Sequence, residues 1–148
     1  MSKFSYNFRH QLRKLYWFLL RPKTTGVKCI IKHQGRILMI KRTLPNSKWV
    51  FPGGAVMKGE SFMDAAKREV KEDLGLTLNN VIELGNFKTK VRYRTETIYC
   101  FTGEVTDVNL SGDEVKLSEV KWFSPEELPH PLTPISQKVY DLYLAHGD

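Results

Sequence analysis

The chain has 148 residues, 41% of them hydrophobic and 26% charged, with a formal net charge of +7. That is enough apolar material for one sizeable core, and too much for a disordered chain. No apolar run nears the roughly 18 residues that would cross a bilayer, and two cysteines cannot staple a small secreted fold.

Phe4, Phe8, Leu12, Leu15 and Leu19 recur at helical spacing, so residues 3–20 are expected to form an amphipathic helix. Arg9, His10, Arg13 and Lys14 take much of its other face. Arg21-Pro22 ends it, because the residue before a proline avoids helical geometry. The expected organisation is an extension over residues 1–22 and one domain over residues 23–148. Residues 26–33 read as a strand, Gln34-Gly35 as a turn and residues 36–42 as the hairpin partner. A loop over 43–48 leads to a short strand at 49–51, and Pro52-Gly53-Gly54 reads as irregular backbone.

Ser61 is a helix N-cap candidate with Asp64 at the third helical position, and the helix should run from 62 to about 74. Gly75 suits the left-handed position that closes it. Val81–Tyr93 and Thr95–Val105 read as two long strands, residues 106–118 as a loop and Val120–Phe123 as a short strand. Ser124-Pro125-Glu126-Glu127 starts a short helix, and Pro134 to about Ala145 forms a last amphipathic one with Ile135, Val139, Leu142 and Tyr143 on its apolar face. The result is a mixed sheet with flanking helices, an α/β (α+β) domain. No secretion signal is visible, so a cytoplasmic location is expected, with Cys29 and Cys100 as buried free thiols.

Charge is divided unevenly along the chain. Residues 1–59 carry 13 Lys or Arg and no acid, whereas residues 60–148 carry 10 Lys or Arg and 16 Asp or Glu. A basic half beside an acidic half suits a polyanionic substrate held against metal-binding carboxylates. It also suits nucleic acid or an anionic membrane surface, and charge alone does not choose. On the helix expected over 62–74, Glu69, Glu72 and Asp73 stand at i, i+3 and i+4. That spacing puts three carboxylates on one face, where they repel unless something positive compensates. A hard divalent cation such as Mg²⁺ or Mn²⁺ would compensate, since carboxylate oxygens are its preferred ligands. A solvated acidic helix face is the plainer alternative. The glycines at 53, 54 and 59 tip the balance, because such a loop lets backbone groups approach a metal or phosphate.

Residues 54–76 read Gly54, five residues, Glu60, seven residues, Arg68-Glu69-Val70, one residue, Glu72-Asp73, one residue, Gly75-Leu76. This resembles the Nudix box, the signature of the Nudix hydrolases. Asp73 is the one departure, standing where the usual pattern has a second, longer Glu. The likeness extends to Trp49-Val50-Phe51-Pro52-Gly53-Gly54 before the box and to Glu119–Phe123 with Pro125–Leu128 after it, covering about residues 25–145. It implies an α/β/α sandwich with the box as loop, helix and loop. It implies hydrolysis of a nucleoside diphosphate linked to another moiety X, with Mg²⁺ or Mn²⁺ as cofactor. By match to the motif, Glu69, Glu72, Asp73 and the carbonyl of Gly53 would hold the metal. Glu60 would sit nearby, and Arg68 would orient the acids and the loop. Glu69 is the first candidate for general base. Glu114 is the second, ahead of Asp113.

Outside the box, Arg36, Lys41 and Arg42 lie on the hairpin feeding the loop and could bind phosphates, or form a solvated strand face. Trp49 and Phe51 could stack on a base or simply pack. Tyr93, amid Lys88, Lys90, Arg92 and Arg94, resembles a tyrosine position of dinucleoside polyphosphate hydrolases. The stretch Tyr16–Pro22 is similar to small bacterial Nudix proteins, which leans the reading toward nucleoside diphosphate sugars. Dinucleoside polyphosphates, nucleoside triphosphates and a non-catalytic nucleotide- or RNA-binding module are the alternatives. A degenerate sensor would have lost one of the helix acids, and this chain keeps all three. The N-terminal helix could pack on its own domain, join a homodimer or lie on a membrane. Its short linker and aromatic-leucine face favour the homodimer, with no stable nucleic acid or membrane partner. The four histidines show no paired spacing and read as surface or packing residues.

Overall fold

A computed structural model describes residues 11–12, 23–91, 94–111 and 117–147. The expected helix over 3–20 lies outside the described residues except for Gln11 and Leu12, which are helical. Six strands form one mixed sheet: β1 (Lys23–His33), β2 (Arg36–Arg42), β3 (Gly53–Ala55), β4 (Asn79–Val91), β5 (Arg94–Glu104) and β6 (Leu117–Phe123). Among the described residues from 23 onward, two helices, α1 (Phe62–Leu74) and α2 (Pro134–Ala145), and a 3-10 turn at Pro125–Glu127 complete it.

The strand order is β4-β5-β1-β2-β6, with β3 also on β1. Central β1 pairs in parallel with β5, from Lys23↔Thr95 to Lys32↔Glu104. The other pairings are antiparallel. Strand parity then builds the layers, because successive side chains point to opposite faces. Val27, Cys29 and Ile31 of β1 and Leu38 and Ile40 of β2 pack with Ala65, Ala66, Val70 and Leu74 of α1. Ile30, Ile37 and Met39 face the other way and pack with Val139 of α2. The near-continuous apolar runs in β1 and β2 follow from this, since both faces are covered. Helix on sheet on helix is the α/β sandwich that the resemblance implied.

Local chemistry explains the helix ends. Ser61 caps α1 by accepting a hydrogen bond from the Asp64 amide at 3.0 Å. Gly75 closes it at φ 73°, where a side chain would also collide with Ser111. Thr133 caps α2 in the same way through the Ser136 amide. Cys29 and Cys100 are fully buried, and burial pushes both thiols up to about 12.

Three expectations need correction. The strand expected at 49–51 is a single bridge, Val50 to Ile40. The loop expected to be irregular instead contains a strand, Gly53-Gly54-Ala55, antiparallel to β1 at Lys28, Val27 and Gly26. Glycine makes this pairing possible, because a Cβ on Gly53 would strike the carbonyl of Val27. β6 also begins three residues earlier than expected, extended by pairing of Leu117 with Arg42.

Candidate active site

The acidic face of α1 meets β3 on one side of the sheet. Glu69 is 1% exposed and Asp73 3% exposed, so two of the three helix acids are buried charges. Such burial is costly unless the charge is paired or binds a cation. The carboxyl of Glu69 rests against the backbone of Gly54, where any Cβ would collide with it.

Arg68 ties this face together. Its Nε and Nη2 donate to the two oxygens of Glu60 at 2.6 and 3.0 Å, and Nη2 also donates to the carbonyl of Ala55 at 2.9 Å. Its Nη1 donates to Glu69 at 3.0 Å and to Glu72 at 3.3 Å. One guanidinium thus joins the loop acid, two helix acids and β3, a use that its forked donors suit. Burial works against its charge, but the Glu60 hydrogen bond and the charge of Glu69 outweigh burial and raise its pKa. Burial likewise opposes the Glu60 charge, and hydrogen bonds from Arg68 and the Met57 amide hold its carboxyl below the usual range.

A second guanidinium enters from the end of β2. Arg42 Nη2 donates to the carbonyl of Gly53 at 3.0 Å, and Nη1 lies 3.9 Å from the Asp73 carboxylate. Lys28 Nζ donates to the Phe51 carbonyl of the same loop at 3.3 Å. Burial and the nearby charge of Arg42 lower the Lys28 pKa to about 8, against a weaker pull from Glu96.

Glu60, Arg68, Glu69, Glu72, Asp73, Gly53 and Arg42 are therefore brought together. Arg36 is not: it sits at the opposite end of β2, about 20 Å of strand away. There it lines a cleft of about 320 Å³ with Lys32, His33, Glu104 and Tyr143. Trp49 packs edge-on against Phe123 at 5.2 Å, with Lys41 Nζ 5.0 Å from its ring centroid. Phe51 is wholly buried on the α2 side and offers no face to a base. Tyr93, Glu114 and Asp113 lie outside the described residues. Sequence reasoning missed Lys28. The signal was a lysine inside the otherwise apolar run from Gly26 to Ile31.

Among the described residues, no group of three or more His, Cys, Asp or Glu side chains converges as a ready metal cage. The donor chemistry nevertheless fits a hard divalent cation: three carboxylates, from Glu69, Glu72 and Asp73, and the Gly53 carbonyl are all oxygen ligands. The Gly53 carbonyl and the Asp73 carboxylate already flank a positive group, the Arg42 guanidinium. The space between them therefore accepts positive charge.

Comparison with known proteins places the fold in a family. The family model described as NUDIX domain matches residues 20–143. The chain is 33% identical over 111 residues to an uncharacterised Nudix hydrolase of Listeria innocua, covering 68% of this chain and 62% of that protein. It is 31% identical over 106 residues to the oxidized purine nucleoside triphosphate hydrolase of Danio rerio, covering 68% and 65%. It thus spans less than two thirds of the length of these two relatives. In fold it is similar to the MutT NUDIX hydrolase from Burkholderia pseudomallei, with a TM-score of 0.73 at 24% identity over 81% of this chain and 97% of that one.

Proposed function

The chain belongs to the NUDIX domain family, and from that premise we propose that it is a metal-dependent pyrophosphohydrolase acting on a nucleoside diphosphate linked to another moiety. The observation that carries the proposal is the buried acidic face of α1, with Glu69 against the glycine strand β3 and Asp73 buried one turn further on beside Arg42. A solvated acidic surface would not bury these charges.

In this reading Glu69, Glu72, Asp73 and the Gly53 carbonyl hold Mg²⁺ or Mn²⁺. The bound cation supplies charge neutralisation of the phosphates and a more acidic water. The rest is done by the chain itself. Glu69 accepts the proton as water attacks phosphorus and the anhydride P–O bond breaks, releasing two phosphate-terminated products. Arg68 touches no substrate: it positions Glu69 and Glu72 from one side and clamps the loop through Glu60 and Ala55. Arg42 binds phosphate oxygens as they arrive. Glu114 is the alternative base and Tyr93 a candidate substrate contact.

The reading of X as a sugar is supported by the likeness of Tyr16–Pro22 to small bacterial Nudix proteins. A nucleoside triphosphate is favoured instead by the similarity to the Danio rerio enzyme. A panel of nucleoside diphosphate sugars, ADP-ribose, dinucleoside polyphosphates and nucleoside triphosphates separates them. With Mg²⁺ and a coupled phosphatase, one class should be preferred by at least about tenfold in kcat/KM. Turnover of none, with an intact fold, would favour a binding module.

We also propose a cytoplasmic homodimer assembled through residues 1–22. Supporting it, no helix among the described residues is long and apolar enough to cross a membrane. Leu12, on the expected apolar face, is 48% exposed within a single chain.

A further inference from the structure

We propose that Arg42 is the resident cation of the metal-binding loop, and that a divalent cation binds only as the Arg42 guanidinium leaves the Gly53 carbonyl. The inference rests on the reading of Gly53, Glu69, Glu72 and Asp73 as metal ligands.

Arg42 spans two of those four ligands, and they come from different elements. It donates to Gly53 on β3 and lies beside Asp73 on α1. A divalent cation sharing the carbonyl would sit against a guanidinium and be repelled by it. Lys28 adds to that repulsion, since it donates to Phe51 two residues earlier in the same loop. Three positive groups converging on residues 51–53 are too many, and one must yield.

Arg42 is the one built to yield. Arg68 has five hydrogen bonds to four residues, whereas the Arg42 side chain has one hydrogen bond and one long ion pair. Lys28 is half-buried, flanked by Glu96 and by β3. The Arg42 side chain is 30% exposed, and its backbone is fixed separately, the amide donating to Ser47 at 3.0 Å. The guanidinium can therefore swing without loss of the strand end.

The consequence is coupling. Metal arrival frees a phosphate-binding arm, and phosphate that captures the arm keeps the metal position open. Each ligand then tightens the other, as linkage requires. Without substrate, Arg42 weakens metal binding and keeps the buried acids compensated.

The test uses the full-length ¹⁵N-labelled protein and Mg²⁺ alone. Binding is followed by calorimetry, and the Arg42 side-chain NMR signal, assigned by its absence in Arg42→Gln, is followed in parallel. The expected result is that this signal moves saturably with Mg²⁺ and that Arg42→Gln binds Mg²⁺ about tenfold more tightly, the scale of one charge-assisted hydrogen bond. A stationary Arg42 signal at saturating Mg²⁺, with the α1 amides shifting, would overturn the displacement while leaving the metal site standing. Tighter binding by the variant would not rescue it, since loss of charge alone could produce that. No Mg²⁺ binding by the wild type would overturn the metal reading and this inference together.

Discussion

Gly54 shows most directly how one residue sets the site. Its lack of a side chain is what lets the Glu69 carboxyl rest against β3. Gly54→Ala should therefore displace Glu69 and lower kcat by about a hundredfold, the cost of roughly 1 Å of misplacement. Circular dichroism should show the helices and sheet retained. Wild-type turnover in Gly54→Ala would separate Glu69 from the chemistry. The thiols give a second prediction at this scale. Burial raises Cys29 and Cys100 from 9.0 to about 12. A pKa raised by folding means that the folded state is favoured below pH 9 and that this contribution is lost as pH climbs from 9 to 12. The urea midpoint should fall across that window, and should fall less in the Cys29→Ala, Cys100→Ala double variant than in the wild type. Equal slopes would show that these thiols do not titrate with folding.

At the scale of elements, α1 carries the core and, in the proposed reading, the chemistry. Ala65, Ala66, Val70 and Leu74 bury one stripe, while Glu69 rests against Gly54 of β3. Its N-cap is the clean place to perturb it. Ser61→Ala should cost about 1 kcal/mol of stability with kcat little changed, as read from urea midpoints. A loss of activity larger than the loss of stability would place Ser61 in the site rather than at a helix end. This helix was legible in the sequence almost to the residue, because cap, apolar period and closing glycine all agreed. The loop before it was less legible. Glycines normally signal irregular backbone, and only the partner strand shows that Gly53-Gly54-Ala55 joins the sheet. Pairing of this kind is a property of β1, not of the loop's own composition.

At the scale of the molecule, the uneven charge along the chain becomes a spatial junction. Arg42 from the basic half meets Asp73 from the acidic half, and β1 supplies Lys28 beside them. The box residues were legible because their spacing is local to one helix and one loop. The candidate substrate contacts were not, because their place depends on which end of a strand faces the site. Arg36 and Arg42 look alike in sequence yet occupy opposite ends of β2. Trp49 and Phe51 look alike as stacking groups, yet Phe51 is wholly buried beside α2 and Trp49 is half-buried, edge-on against Phe123. Assembly is tested by deleting residues 1–20, which should convert a dimer to monomer or aggregate by size exclusion with light scattering. A fully active dimer without them would refute their role.

The central claim is that the buried acids of α1 hold a divalent cation and drive anhydride hydrolysis. The most direct measurement compares wild type and Glu69→Gln on the preferred substrate, in EDTA and after Mg²⁺ is restored. The wild type should be inactive in chelator and recover with Mg²⁺. Glu69→Gln should be at least about a thousandfold slower in Mg²⁺ with an unchanged circular dichroism spectrum. Undiminished turnover in EDTA, or wild-type turnover by Glu69→Gln, would contradict it.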